Sequence, residues 1–99
     1  VGNSFASDKE LLVLTLLRDA PKGLYGLELV KESGDRLKRG TVYVTLARLE
    51  DKGLIRSRTP ATTGGHSGLP RPHYTLTAEG RKALDAAALM GWDLARSEA

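Results

Sequence analysis

Thr41, Tyr43, Val44, Thr45 and Arg48 fall within eight consecutive positions. Most of them can hydrogen-bond, and none is acidic. Glu50 and Asp51 come only after them. Interleaved with the set are Val42, Leu46 and Leu49, whose spacings of four and three mark the apolar stripe of a helix. The polar set then lies on the other side of that helix. Hydroxyls, a phenol and a guanidinium along the front half of a helix suit docking into the groove of a polyanion. Phosphates favour the positive end of the helix dipole, and side chains there reach base edges. Lys38 and Arg39 precede the set. Arg56 and Arg58 follow on alternate positions of a strand-like run and so share a face. Arg71 stands further along. These three arginines suit phosphate contacts, which orient a protein without carrying sequence information directly.

The charge is concentrated where these residues lie. From Arg36 to Arg58 there are seven bases against two acids, a net of +5, whereas the whole chain carries +3 and its remainder therefore −2. A surface facing a polyanion is expected to look like this. On charge alone, a solvated basic face accounts for it equally well.

Other chemistries find less support. His66 and His73 could ligate a metal, but with no cysteine in the chain the third and fourth ligands have no clear identity. His66 and Ser67 adjoin on a loop with no sign of a strained nucleophile turn. No glycine-rich phosphate loop follows a strand. Neither an enzyme nor a cofactor is expected. Trp92, the one tryptophan, has two readings: interface packing, or a platform on which a planar aromatic effector stacks.

The elements that must position these residues follow from the pattern. Ser7 to Glu10 has capping-box form and opens a first helix through Leu11–Leu17, apolar around most of its circumference and hence buried on several sides. Pro21 and Gly23 end it. A second helix is expected from about Leu24 to Ser33, with Leu27 and Val30 on one face and Gly34 as a left-handed cap. Residues 35–40 form a short connection with room for a brief strand. Thr41 is the expected N-cap of the third helix, and Gly53 ends it. Leu54–Thr59 alternates as a strand, 60–72 is a loop rich in Gly, Pro, Ser and Thr, and His73–Leu76 is a return strand with Tyr74 and Leu76 on one face. Thr77 caps a last helix reaching almost to the C-terminus. Its stripe of Leu84, Ala87, Ala88, Gly91, Leu94 and Ala95 permits close approach of another helix.

At 99 residues, with 40% apolar and 27% charged side chains, the chain reads as one ordinary globular domain. No apolar run has the length of a membrane span and none has signal-peptide form. Absence of cysteine fits a reducing compartment, so a cytoplasmic location without membrane contact is expected.

Three segments in register resemble the PadR-like family of regulators: Gly40-Thr41-Val42-Tyr43 with Leu46–Ile55, Tyr25-Gly26-Leu27-Glu28-Leu29, and Tyr74–Gly80. The match spans roughly residues 8 to 85 and looks like the smaller subfamily with one C-terminal helix. It implies a mainly α fold with a small β-wing: a winged helix-turn-helix over 7–76 and a C-terminal dimerisation helix over 77–99. It implies a homodimer built through the terminal helices, the third helix in the major groove of double-stranded DNA, and the wing near the backbone. A two-fold dimer would require a palindromic operator. The implied role is usually repressive and often released by a small molecule. Val44 stands where the family often has proline, and the wing loop, with Gly64 to Pro70, is long. Three readings remain open at this point: a ligand-responsive repressor, a winged helix used for protein contacts, and a DNA-binding protein that senses nothing.

Overall fold

Ser7 Oγ accepts the Glu10 N–H at 3.2 Å and Glu10 Oε1 accepts the Ser7 N–H at 3.0 Å, closing the expected capping box. It opens the first helix, α1 (Asp8–Arg18), of a computed structural model that describes residues 7–59 and 71–91. Leu11, Leu12, Val13, Leu14 and Leu17 of α1 are all buried, so this helix runs through the centre of the core. It is followed by β1 (Leu24–Tyr25), α2 (Gly26–Glu32), α3 (Arg39–Asp51), β2 (Ile55–Arg58), β3 (His73–Leu76) and α4 (Ala78–Leu89).

The strands form one antiparallel sheet in the order β1-β3-β2. It has three strands, where the sequence pattern gives a two-stranded hairpin. The third is not at 35–40 but at Leu24 and Tyr25, which pair with Tyr74 and His73. The expected second helix accordingly loses its first two residues to the sheet. Gly23, at φ +94°, makes this pairing accessible: a Cβ there would sit 2.8 Å from the Tyr74 carbonyl oxygen. Helix α2 then starts at Gly26, with the Glu28 carboxylate accepting the Tyr25 N–H at 2.8 Å. Leu29 is its fully buried residue, whereas Leu27 is exposed and Val30 half-buried. The Leu27–Val30 face is therefore not the inward face as a whole.

Between α2 and α3, Gly34 and Asp35 both take left-handed backbone, at φ +63° and +69°. Ser33 Oγ donates to the Val30 carbonyl and accepts the Leu37 N–H. That turn drops Leu37 into the core. Helix α3 begins two residues before the expected cap. Lys38 is its N-cap, with no side-chain cap bond, and Thr41 lies within the first turn. Val42, Leu46 and Leu49 are buried, as their spacing demands, and Gly53 leaves the helix at φ +76°.

The register pairs Ile55 with Leu76, Arg56 with Thr75, Ser57 with Tyr74 and Arg58 with His73. Alternation along each strand puts Ile55, Ser57, Tyr74 and Leu76 on the face towards the helices. Arg56, Arg58, Thr75 and His73 are left on the other.

The β3–α4 junction clamps the end of α3. Thr77 Oγ accepts the Gly80 N–H at 3.0 Å and donates to the Gly53 carbonyl at 2.7 Å. The Thr77 N–H donates to the Leu54 carbonyl at 3.1 Å. A Cβ on Gly80 would run into that same Leu54 carbonyl. Leu84 of α4 joins the core. The helix ends at Leu89, and Gly91 takes φ +94°. Gly91 is thus past the helix end and not part of a continuous stripe. Leu94, Ala95 and Trp92 lie outside the described residues.

Candidate nucleic-acid interface

Helix α3 buries Val42, Thr45, Leu46 and Leu49 and exposes Arg39, Gly40, Thr41, Tyr43, Val44, Ala47 and Arg48. At 3.6 residues per turn, the line opposite the buried stripe runs through Gly40, Val44 and Ala47. Thr41 and Arg48 flank it on one side. Its first turn carries no acid, and Arg48 forms no ion pair with any described residue. Of the residues expected on this face, Thr45 is the exception. It is 8% exposed, and its hydroxyl is directed at the Thr41 carbonyl 3.3 Å away. It lies three residues after Val42 and four before Leu49, which puts it on the buried stripe.

Tyr43 is 48% exposed and sits over the start of α2. A Cβ on Gly26 would lie 2.6 Å from Tyr43 Cε1 and 2.8 Å from its Cζ and Oη. Gly26 is therefore a notch that receives the phenol end of the ring. Behind it, Tyr74 is held above its ordinary pKa of 10.0 by burial first, and then by the Glu50 carboxylate and Tyr43. Tyr74 is consequently a neutral, buried phenol on the strand that carries the wing. Glu50 also accepts the Ser57 hydroxyl at 2.6 Å, tying the end of α3 to β2.

Lys38 and Arg39 are exposed at the N-terminal end of α3, where the dipole is positive. Arg56, Arg58 and Arg71 are exposed on and beside the wing strands. Arg58 is in register with His73, which is in register with Tyr25. The Tyr25 and His73 rings lie 4.1 Å apart at 34°, so His73 is spent on ring packing. No cluster of three His, Cys, Asp or Glu occurs among the described residues. Among the seven bases Lys52 is structural: its Nζ pairs with the buried Glu10 at 2.9 Å. Gly40 and Ala47 carry no charge or side-chain hydrogen-bonding group to mark them in the sequence, although reflecting the Val42–Leu46–Leu49 stripe through the helix axis finds them.

Residues 13–86, which span α1 to α4 of this arrangement, match the Transcriptional regulator PadR-like family. The chain belongs to the PadR-like family. A PadR family regulator from Clostridium difficile R20291 is 34% identical, with a TM-score of 0.67 over 82% of this chain and 83% of that one. Bacillus subtilis PadR, solved in complex with operator DNA, is 28% identical, with a TM-score of 0.70 over 88% of this chain and 50% of that one. A curated Streptomyces fradiae protein, an uncharacterised 37.1 kDa protein in transposon Tn4556, is 38% identical over 81 residues, 80% of this chain. The chain spans about a fifth of that relative's length, 21%. PadR-like proteins are transcriptional regulators and not enzymes. No helix among the described residues is long and apolar enough to cross a membrane.

Proposed function

We propose that the chain is a sequence-specific, double-stranded-DNA-binding transcriptional regulator acting as a homodimer. The observation that carries this reading is the outward face of α3, free of acid from Arg39 to Arg48, in a PadR-like frame. In this reading Thr41 and Arg48 meet base edges in the major groove. Lys38, Arg39 and the wing residues Arg56, Arg58 and Arg71 meet phosphates. Tyr43, seated in the Gly26 notch, offers its hydroxyl to the backbone. The Bacillus subtilis relative, solved in complex with operator DNA, supports DNA as the partner here.

The homodimer has its own support in α4. Leu89 is 90% exposed and Met90 is exposed beside it, an apolar end for which a second copy is a natural cover. In this reading residues 7–76 dock on DNA and 77–99 pair the two copies. Cytoplasmic repression, released by a planar aromatic compound at Trp92, completes the proposal. Such a compound regulates only if it favours one arrangement of the dimer over the other.

Selection from random duplexes with the purified protein tests the proposal. The expected product is a palindrome with half-sites about 10 base pairs apart or a multiple of that. Equal binding to every duplex at moderate salt, or a monomer in sedimentation at micromolar concentration, contradicts it.

A further inference from the structure

The leading edge of the recognition helix is unexpectedly bare. Gly40, Val44 and Ala47 follow one another at spacings of four and three, on the line farthest from the core. Val44 is 52% exposed, the largest side chain on that line before Asp51. It has no hydrogen-bonding atom. From this we infer, resting on the DNA-binding reading above, that Val44 reads the 5-methyl group of a thymine on the floor of the major groove.

Three physical features carry the assignment. The first is chemistry. In the major groove thymine presents a methyl group beside its O4 acceptor, and an apolar side chain is its natural partner. An exposed valine between Thr41 and Arg48 supplies one apolar contact amid polar ones. The second is stiffness. A β-branched side chain holds essentially one χ1 rotamer in a helix, so Val44 loses little freedom on docking and presents its methyls in a fixed direction.

The third is the glycine. Gly40 has an ordinary φ, and a Cβ there would meet nothing within 4 Å. Neither backbone conformation nor packing requires glycine, which in a helix is less stable than alanine. Nothing among the described residues accounts for its absent side chain, which leaves room for something outside the chain. A helix with side chains is about 10–12 Å across, close to the groove width of about 12 Å. A leading edge of Gly40 and Ala47 lets the axis sit deep enough for the short valine to touch the base. Arg48 then works beside it, reaching a neighbouring base edge.

The test uses the selected operator with single thymines replaced by deoxyuridine, which removes the methyl group and leaves every hydrogen-bonding atom. One thymine per half-site should be sensitive. Its replacement should weaken binding about fourfold, the transfer of one methyl group out of water, and replacement in both half-sites about 15-fold. Val44→Ala, at an exposed position that keeps its fold, should bind the thymine and uracil operators equally. Gly40→Ala should raise the melting temperature of the free protein by about 2–8 °C and yet weaken DNA binding.

If a site is selected but no thymine responds to loss of its methyl, this inference is overturned while the DNA-binding reading stands. Methyl sensitivity that persists in Val44→Ala also overturns it, as does full DNA affinity in Gly40→Ala. Failure to select any site overturns both readings together.

Discussion

Replacing Gly80 by alanine forces a methyl group into the Leu54 carbonyl, with the Leu76 side chain 2.7 Å away on another side. The carbonyl belongs to the backbone turn between α3 and β2, so no flexible side chain can give way. Helix α4 must move off that turn. Doing so strains the Thr77 N–H bond to Leu54 and the Thr77 hydroxyl bond to Gly53. Two such bonds contribute about 0.5–1.5 kcal/mol each, and overpacking adds about 1–3 kcal/mol. The helix gain of alanine over glycine returns about 0.5–1 kcal/mol. The net loss is roughly 3 kcal/mol, which lowers the melting temperature of a chain this size by roughly 12–24 °C. Thermal unfolding followed by circular dichroism measures it. Thr77→Val is the control: it keeps the space but removes the cap and the bond to Gly53, at a cost of about 1–2 kcal/mol. A Gly80→Ala protein as stable as the parent would refute the clamp, because the alanine helix preference would then be the only term left.

Two further outcomes rest on single contacts. Lys52→Met leaves the buried Glu10 with only the Ser7 N–H. A loss of about 1–3 kcal/mol in denaturant unfolding is expected, below the range for a fully buried pair because Lys52 is 39% exposed. Partial recovery in Glu10→Gln/Lys52→Met supports the pairing, and an unchanged midpoint in Lys52→Met excludes it. Tyr74, raised above 10.0, keeps its proton longer when folded than when unfolded. Its contribution to stability is thus complete below pH 10 and is lost as pH rises through the folded value. Tyrosinate absorbance should show one of the three tyrosines ionising late, and Tyr74→Phe should flatten the alkaline fall in stability. An alkaline end of the tyrosinate titration that Tyr74→Phe leaves unchanged would contradict the burial assigned to Tyr74.

The long helices were legible because their signals are local. Ser7 and Glu10 announce a cap within four residues, and Val42, Leu46 and Leu49 carry the 3.6-residue period of α3 unaided. Leu24 and Tyr25 were not legible as a strand, since two residues have no period and their partner lies some fifty positions away on β3. The start of α3 at Arg39 was hidden for a related reason. Lys38 caps it without a side-chain bond, while Thr41 is a better capping residue in isolation. At the candidate interface, charge and hydrogen-bonding capacity singled out Arg48, Thr41 and the wing arginines. The same reasoning favoured Thr45, whose hydroxyl is met by its own helix, and passed over Gly40 and Ala47, whose contribution is a lack of side chain. The Gly26 notch under Tyr43 joins two helices and has no trace in either segment alone.

The salt dependence of binding to the selected operator tests the central claim most directly. Affinity would be measured for the parent protein, Arg56→Ala and Arg48→Ala across a range of salt, on the operator and on an unrelated duplex. Arg56→Ala should lower both affinities alike and reduce the slope of log affinity against log salt by about 0.9, one phosphate contact. Arg48→Ala should cost about 1–3 kcal/mol on the operator and little on the unrelated duplex. Parallel losses on both duplexes for Arg48→Ala, or affinities that ignore salt altogether, would contradict a recognition helix seated in the major groove beside a phosphate-binding wing.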